Sequence, residues 1–396
     1  MTQALIAAAF RTPRGAAKAT GSLHGLTPAG LLASHLRAVL AAVGPACDAV
    51  EDALIGCVTQ TGEQGGNVGK VGTLLAGWSP HMSAMTINRY CASGLSAVNL
   101  AALEALQGDD LVLAGGVEMM SRVPMFGDTA PHYTDKALIE AIGFMPPPWT
   151  SDLVATRNGI SRTQCDEYAA LSQARAARAR RETPMPSMLP VVDDAGQVLL
   201  GQDENIRESS TAEKLATLKA VYEGGAPDLD AWALAREPQL QAIAHVHTAG
   251  NAPCMADGAA AVLVGSAQAL ERHGLRPRAR ILATAEACVP LVQTGAVDAT
   301  QKALTRAGLG VADIDLWEVR DSFAAITLHY IRTLGLDLAR FNVNGSSIAL
   351  GHPMGATGAM LVSCLLDEME HRDLRRGAVA IAGAAGVATA TVIERC

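Results

Sequence analysis

One order of secondary-structure signals occurs twice in this chain of 396 residues. In the first half, the apolar segment 52–60 precedes residues 85–106, whose pattern predicts a strand, a turn and a helix, and then an apolar run. The second half repeats that order in residues 313–331, 341–369 and 376–395. A repeat of this size indicates two copies of one folding unit, each of which buries its strands against helices.

Continuous apolar runs such as LVLAGG and AVAIAGAAG are typical of strands that helices cover on both faces. Because strands alternate with helices, we expect an α/β fold with mainly parallel pairing. Two such units packed back to back would form five layers, α/β/α/β/α. Residues 122–249, between the copies, are more charged and irregular, as expected of an insertion that covers a site.

The composition narrows the class of protein. With 49% hydrophobic and 18% charged residues, the chain can bury a large core. A net charge of -8 and the lack of a basic stripe argue against nucleic-acid binding. The first residues lack the pattern of a secretion signal, and no apolar run approaches the ~18 residues that cross a membrane. We therefore expect a cytoplasmic protein without membrane contact.

The eight cysteines are scattered, without a CxxC pair or a Cys/His cluster at metal-ligand spacing. We expect free thiols in a reducing compartment and no metal site. His245 and His247 resemble a metal-binding pair. Alternate residues of a strand point to opposite faces, however, which favours a structural role for both.

Cys91 lies in INRYCASGLSAV, residues 87–98, where small residues begin a predicted helix. At a helix N-terminus the macrodipole stabilises a thiolate and lowers the pKa of the thiol, so Cys91 is a candidate nucleophile. Most cysteines are small buried hydrophobic residues, and that role is the alternative.

The matching turn of the second copy, NVNGSSIALGHPMGATG (342–358), contains His352 close to two glycines and just before another predicted helix. If the two copies pack about a pseudo-twofold axis, the two turns face each other. A histidine beside a cysteine supplies the general base that activates the thiol. The alternative is a histidine that backbone groups hold in a loop.

Four segments together resemble the thiolase family: NRYCASGLSAV, GGVEMMSRVP, TAGNAPCMADGAAAVLV and NVNGSSIALGHPMGATGA. The similarity extends almost from end to end. It implies a five-layer αβαβα fold built from two halves of the βαβαβαββ type and an inserted loop domain that contacts coenzyme A. The expected divisions are residues 1–121 with 250–268, residues 122–249 for the loop domain, and residues 269–396.

The resemblance also implies a two-step acyl transfer. Cys91 would attack the thioester of an acyl-CoA or 3-ketoacyl-CoA, assisted by His352, to form an acyl-cysteine. A CoA thiolate, in thiolysis, or an acetyl-CoA enolate, in Claisen condensation, would then release the acyl group. CoA is the carrier of the substrate; no metal or other cofactor is implied, and a homodimer or homotetramer is expected.

Two catalytic positions depart from the family pattern. The second cysteine, which acts as the base of the second step, corresponds to Ala382, and alanine cannot move a proton. The asparagine that holds an oxyanion-hole water corresponds to Arg320. Arg320 could stabilise an oxyanion directly and keep His352 neutral; equally, it could pair with Glu318 or Asp321.

Four residues are candidates for binding CoA. Asn251 and Pro253 belong to the segment 248–264, and many family members have a serine near the CoA arm in place of Pro253. Lys214 and Lys219 in TAEKLATLK could meet the nucleotide phosphates of CoA. A solvated surface is the alternative role for both lysines.

We therefore expect an acyl-CoA C-acyltransferase in which acyl-Cys91 forms more readily than the acyl group is transferred onward. Glu63, Asp321 and Cys364 are candidates by residue type for the missing base. Two rival functions remain. One is a thiolase-like acyl-CoA hydrolase, in which water releases the acyl group, and the other is a non-catalytic acyl-CoA-binding protein.

Overall fold

The computed structural model describes residues 3–108 and 110–396. Twelve strands and thirteen α-helices form within them. The strands are β1 Ala4–Arg11, β2 Gly15–Ala16, β3 Val50–Gly56, β4 Ser83–Ile87, β5 Leu111–Met119, β6 Val191–Val192, β7 Val198–Leu200, β8 Ala256–Ser266, β9 Ala279–Cys288, β10 Leu316–Val319, β11 Arg376–Ala382 and β12 Val387–Arg395. The helices are α1 Pro28–Val43, α2 Val68–Leu75, α3 Ser93–Gln107, α4 Lys136–Ile142, α5 Pro147–Arg157, α6 Arg162–Glu182, α7 Ala212–Ala216, α8 Pro227–Arg236, α9 Ala267–Arg272, α10 Ala296–Ala307, α11 Ala324–Leu334, α12 Ser347–Leu350 and α13 Met354–His371.

The main sheet is mixed. Its strands follow the order β10-β11-β12-β9-β1-β8-β5-β3-β4, and β2 pairs with β8. The expectation of mainly parallel pairing is wrong, because only β3–β4, β3–β5 and β10–β11 are parallel within the described part of this sheet. Each half closes with antiparallel strands: β8 lies between β5 and β1, and β12 lies between β11 and β9.

The two halves share one topology. The order β4-β3-β5-β8-β1 of the first half corresponds to β10-β11-β12-β9 of the second. In place of β4, the second half has a single parallel bridge between Trp317 and Phe341. The duplication that the sequence predicted is therefore confirmed in the pairing of the strands.

Helices α3 and α13 form the central layer. They pack against each other and against strands of both halves. Helix α1 covers β5 and β8 on one outer face, while α10 covers β9, β11 and β12 on the other. The five layers of the αβαβα fold are thus present, and the half-sheets join at one edge through pairs between β1 and β9.

Helix α13 is central because its residues 354–366 are apolar or small on every side, which suits a helix buried between two layers. Two of its glycines permit a very close crossing. A Cβ atom on Gly355 would lie 2.7 Å from the carbonyl oxygen of Gly56, and one on Gly358 would lie 2.3 Å from the backbone nitrogen of Leu95. The start of α13 therefore lies directly against the backbone of the first half.

The insertion, residues 122–249, contains α4 to α8 and the β6–β7 hairpin. Helix α6 packs against α11 and α12 of the second half. The chain then returns to the first half as β8, between β1 and β5. Within the described ranges, no helix has the length and apolar character needed to cross a membrane.

Candidate active site

A cavity of about 490 Å³ lies where the two halves meet the insertion. Its lining includes Cys91 from the first half, Arg320 and His352 from the second, and Phe144 and Tyr222 from the insertion. Three of the four residues predicted to take part in catalysis therefore share one space, although they lie far apart in the sequence.

Cys91 is placed by a tight turn between β4 and α3. Tyr90, just before it, has a φ of 48°, in the left-handed region. The hydroxyl of Ser93 donates to the carbonyl of Tyr90 at 2.5 Å and accepts from the backbone N–H of Arg89 at 2.8 Å. These bonds close the turn and fix the backbone of Cys91 at the start of the helix.

The pKa of the Cys91 thiol is raised above its ordinary value. Burial is the main cause, and it outweighs the lowering effects of Arg320 and of the backbone N–H groups of Cys91 and Ala384. Our expectation that the helix N-terminus lowers this pKa is therefore wrong for the resting site. Cys91 is a neutral thiol that needs a base before it can attack.

His352 is oriented as such a base. Its Nδ1 lies 2.7 Å from Oγ1 of Thr357, and the hydroxyl of Thr357 donates to the carbonyl of Pro353 at 3.1 Å. Because that hydroxyl proton is already used, Nδ1 carries the ring proton and Nε2 carries the lone pair. Nε2 is buried and has no hydrogen-bond partner among the described residues.

The pKa of His352 lies well below its ordinary value. Burial is the main cause, and the positive charges of Arg320 and Arg14 add to it. The imidazole is therefore neutral at neutral pH, and its lone pair is ready to accept a proton. The cavity thus combines a neutral thiol with a neutral base, the pairing that activates a cysteine nucleophile.

Arg320 is buried at the inner end of the cavity. Its Nη1 donates to the carbonyl of Ala382 at 2.7 Å, and its Nε is buried without a partner. Burial lowers its pKa, but a guanidinium keeps its charge in proteins. Neither Glu318 nor Asp321 forms an ion pair with it in the described structure. Arg320 therefore has a spare N–H donor beside the thiol.

Comparison with known proteins identifies the family. The profile of the thiolase N-terminal domain matches residues 4–226, and that of the thiolase C-terminal domain matches residues 275–395. The chain belongs to the thiolase family.

Known thiolases are similar to the chain over its whole length. The beta-ketoadipyl-CoA thiolase of Escherichia coli is 36% identical and the 3-ketoacyl-CoA thiolase of Bacillus subtilis (strain 168) is 35% identical, each with 100% of both chains covered. The steroid 3-ketoacyl-CoA thiolase of Mycobacterium tuberculosis is 35% identical over 100% of this chain and 95% of the relative. The resemblance seen in the motifs is confirmed.

In this thiolase, Ala382 ends β11, and its carbonyl oxygen anchors Arg320. Its side chain is buried and is not part of the described cavity lining, whereas Ala384 is. The backbone N–H of Ala384 is directed at the thiol of Cys91 and lowers its pKa. Ala384 was not predictable from the sequence, because a backbone N–H leaves no signal in the residue type.

Glu118, from the GGVEMMSRVP segment, ties the two halves of the thiolase together. Its carboxylate accepts hydrogen bonds from the backbone N–H groups of Val58, Thr59 and Gly355 at 2.9, 3.1 and 2.9 Å. Gln64 also donates to it at 2.7 Å. One fully buried side chain thus joins the first residues of α13 to the loop after β3.

The four candidates for CoA binding have different surroundings. Pro253 lines the cavity. Asn251 is fully buried, and its amide is occupied by Asp166, by the carbonyl of Val246 and by the N–H of Thr248. Its observed contacts are thus internal to the fold.

The two lysines lie on the surface outside the cavity. Lys214 is exposed on α7, and Lys219 is exposed and paired with Glu223 at 3.0 Å. Both stand within a few residues of Val221, which is part of the cavity wall. Neither lysine belongs to the described cavity lining.

The three alternative bases are engaged elsewhere. Glu63 pairs with Arg122 near the surface. Asp321 accepts from Ser172 and from a backbone N–H, and burial raises its pKa to about 7. Neither of these residues nor Cys364 belongs to the described cavity lining. Cys254, which sequence analysis did not single out, does line it, and burial raises the pKa of its thiol.

His245 and His247 lie in an extended segment outside any strand, so the strand argument for their role is wrong. Both rings contact one buried carboxylate, that of Asp152, at 2.9 and 2.7 Å. The pair joins α5 to the segment before β8. Across the described residues, no group of three or more His, Cys, Asp or Glu side chains is arranged to hold a metal ion.

Proposed function

We propose that this chain is an acyl-CoA C-acyltransferase that works through an acyl-cysteine at Cys91. The observation that carries the proposal is the unpartnered Nε2 of His352, which lines the same cavity as the thiol. A buried lone pair without a partner is costly for the fold, and its use as a proton acceptor explains it.

In the first step, Nε2 of His352 takes the thiol proton while the sulfur of Cys91 attacks the thioester carbonyl. A C–S bond to Cys91 forms, the C–S bond to CoA breaks, and His352 returns the proton to the departing CoA thiolate. The hydroxyl of Thr357 accepts a hydrogen bond from Nδ1–H throughout, so the imidazolium is held in one orientation.

The negative charge on the carbonyl oxygen needs donors that are already in place. The backbone N–H groups of Cys91 and Ala384 and the spare Nε–H of Arg320 are the groups available beside the sulfur. Arg320 brings a full positive charge where the family has a water-holding asparagine. We propose that it strengthens oxyanion binding.

The second step lacks a proton carrier at Ala382. Loss of a general base typically costs about 10² to 10⁴ in rate. We therefore propose that acylation is faster than thiolysis or condensation. The alanine at position 382 also supports the rival function, a thiolase-like acyl-CoA hydrolase. Water could release the acyl group when no base selects CoA or an enolate. A non-catalytic acyl-CoA-binding protein would never label Cys91.

CoA enters as the substrate carrier, and we propose no other cofactor. The pantetheine arm would lie along Pro253, Val221 and Tyr222, toward the exposed Lys214 and Lys219. Gln293 lines this cavity, and its buried Oε1 has no partner among the described residues. It is a suitable acceptor for an amide N–H of the arm.

Intact-protein mass spectrometry after mixing with acetyl-CoA tests this function. We expect an acetyl adduct on the chain that outlasts the mixing time, and thiolysis of acetoacetyl-CoA below the ~1 to 10³ per second of ordinary enzymes. An Ala382→Cys variant should form the same adduct and cleave acetoacetyl-CoA at least about a hundredfold faster than the unaltered protein. Free acetate as the product would favour the hydrolase, and no adduct with either protein would refute the proposal.

We also propose a homodimer, built on an apolar patch at the free edge of the sheet. The patch consists of Leu74, Leu75, Met85, Leu103 and Leu106, which are 43 to 54% exposed. Met85 belongs to β4, the last strand in the sheet order. Such an edge tends to pair with another strand, and a second copy offers the same edge and the same leucines. A homotetramer would add a second interface.

Light scattering after size exclusion should give at least twice the chain mass for the unaltered protein. Leu103→Glu should shift it to the monomer, because a carboxylate in an apolar interface is costly. Leu338→Glu, a matched change at a 38% exposed leucine outside the patch, should not. A monomeric unaltered protein would contradict the dimer.

A cytoplasmic location is proposed on the state of the cysteines. All eight lie in the described part of the chain and are free thiols. Three of them, Cys91, Cys254 and Cys364, lie close to the catalytic cavity or to the central helix. A reducing compartment keeps such thiols reduced.

A further inference from the structure

We propose that the cavity takes a neutral, apolar acyl group and discriminates against an acyl group that ends in a carboxylate. This inference rests on the proposed function and concerns the same site. It follows from how one wall of the cavity is built and from where the charges near that wall lie.

An aromatic wall, formed by Tyr90, Phe144, Tyr133 and Phe126, begins beside the nucleophile. Ring centroids follow one another at 6.0 Å from Tyr90 to Phe144, 5.6 Å from Phe144 to Tyr133 and 4.6 Å from Tyr133 to Phe126. All four rings line the cavity. Tyr90 is the immediate neighbour of Cys91, so an acyl chain on the sulfur has this wall next to it.

Methionines extend the same surface. Met120 belongs to a small apolar cluster against which Tyr90 and Cys91 pack, and Met125, the neighbour of Phe126 in the chain, lines the cavity. Met125 and Phe126 are 39% and 37% exposed, so the wall leads from the buried thiol toward solvent. Thioether and ring surfaces accommodate alkyl and ring-bearing groups of varied shape.

Another part of the lining has a different character. It includes Pro253, Val221 and Tyr222, and the last two follow in the chain the exposed lysines that are the candidates for the CoA nucleotide. Since CoA and the acyl group leave the thioester carbon in different directions, the CoA arm would occupy this side. The aromatic wall is then left for the acyl group.

No cation is placed to receive a carboxylate along the aromatic wall. Among the described lining residues, Arg320 and His352 are the basic ones, and both belong to the reacting end. Behind the wall lies an acid, because the hydroxyl of Tyr133 donates to Oδ2 of Asp128 at 3.1 Å. Burial and then Asp128 raise the pKa of both Tyr90 and Tyr133.

One histidine also faces the wall. His132 packs edge-on against Tyr133 and Phe144, and its Nε2 lies 3.5 Å from the hydroxyl of Tyr90. A carboxylate on the acyl chain would therefore lose its water next to aromatic rings and an acid, which opposes its binding.

The test compares hexanoyl-CoA with adipyl-CoA, which have the same six-carbon chain and differ in a terminal methyl or carboxylate. Rates of acyl-Cys91 formation are followed by intact mass at equal donor concentrations below saturation, with acetyl-CoA as the reference donor. We expect hexanoyl-CoA to acylate the enzyme about a hundredfold faster than adipyl-CoA. Equal rates for the two donors would overturn the inference while acetyl labelling kept the proposed function intact.

A charge placed in the wall should change this preference. Met125→Arg puts a cation at the partly exposed rim, and we expect it to raise the ratio of adipyl to hexanoyl labelling about fivefold or more. Leu138→Arg, at a 37% exposed leucine that does not line the cavity, is the matched control and should leave the ratio unchanged. An equal shift in both variants would contradict the role of the wall. Absence of labelling by all three donors would refute the proposed function as well.

Discussion

A Cys91→Ser variant is expected to lose the acyl adduct, with acylation slowed at least about a thousandfold. A serine hydroxyl is far harder to deprotonate than a thiol, and the base beside it has a lowered pKa. Intact-protein mass after mixing with acetyl-CoA measures the effect directly. The serine differs from cysteine in one atom, so circular dichroism and the melting temperature should change little.

Cys254→Ser is the matched control for that experiment, because Cys254 is the other cysteine in the described lining of the cavity. Its thiol lies 3.9 Å from the carbonyl of Ile348 and has a raised pKa because it is buried. This variant should keep the adduct. Labelling that persists in Cys91→Ser and disappears in Cys254→Ser would show that Cys254, and not Cys91, is the nucleophile.

A His352→Asn variant is expected to slow acylation by about 10² to 10⁴. The pH profile should change as well. In the unaltered protein the pKa of His352 lies well below 6.5, so the base is available from pH 6 upward and the rate should be nearly flat to pH 8. In the variant the thiol must ionise alone, and since burial raises its pKa above 9.0, the rate should climb about tenfold per pH unit through this range.

Thr357→Val separates the base from its orientation. Valine has nearly the shape of threonine and removes the hydroxyl that accepts from Nδ1 of His352 and donates to the carbonyl of Pro353. The variant should keep the flat pH profile and lose about tenfold in rate, because the ring can rotate or change its tautomer.

For the His352→Asn variant, a flat pH profile would contradict the prediction, because it would show that another group takes the proton from Cys91.

Most of the fold could be predicted from local sequence patterns. Apolar runs such as the one at β5 and the repeated strand, turn and helix order predicted two halves with buried sheets and central helices. The direction of pairing was not predictable in this way. Strands β8 and β12 are buried and apolar like β5 and β11, which also take part in parallel pairs. Only the connection that precedes β8 or β12 sets its antiparallel direction.

The site was predictable where the chemistry belongs to a side chain. Cys91, His352 and Arg320 each stand out by residue type within a glycine-rich or acidic motif, and the structure places them around one cavity. The N–H of Ala384 and the orientation of His352 by Thr357 depend on backbone positions and on distances. The pKa of Cys91 was misjudged for a related reason, since the degree of burial cannot be read from the residues beside it.

The close approach of α3 and α13 has a consequence for how proteins of this design can diversify. With Gly355 and Gly358 set against the backbone of the opposite half, any added side chain at these places would push the nucleophile and the base apart. The insertion carries no such restraint at Met125 or Phe126, which are partly open to solvent. Substitutions that change substrate preference are thus tolerated in the insertion, residues 122–249, whereas substitutions at the two glycines would disturb Cys91 and His352.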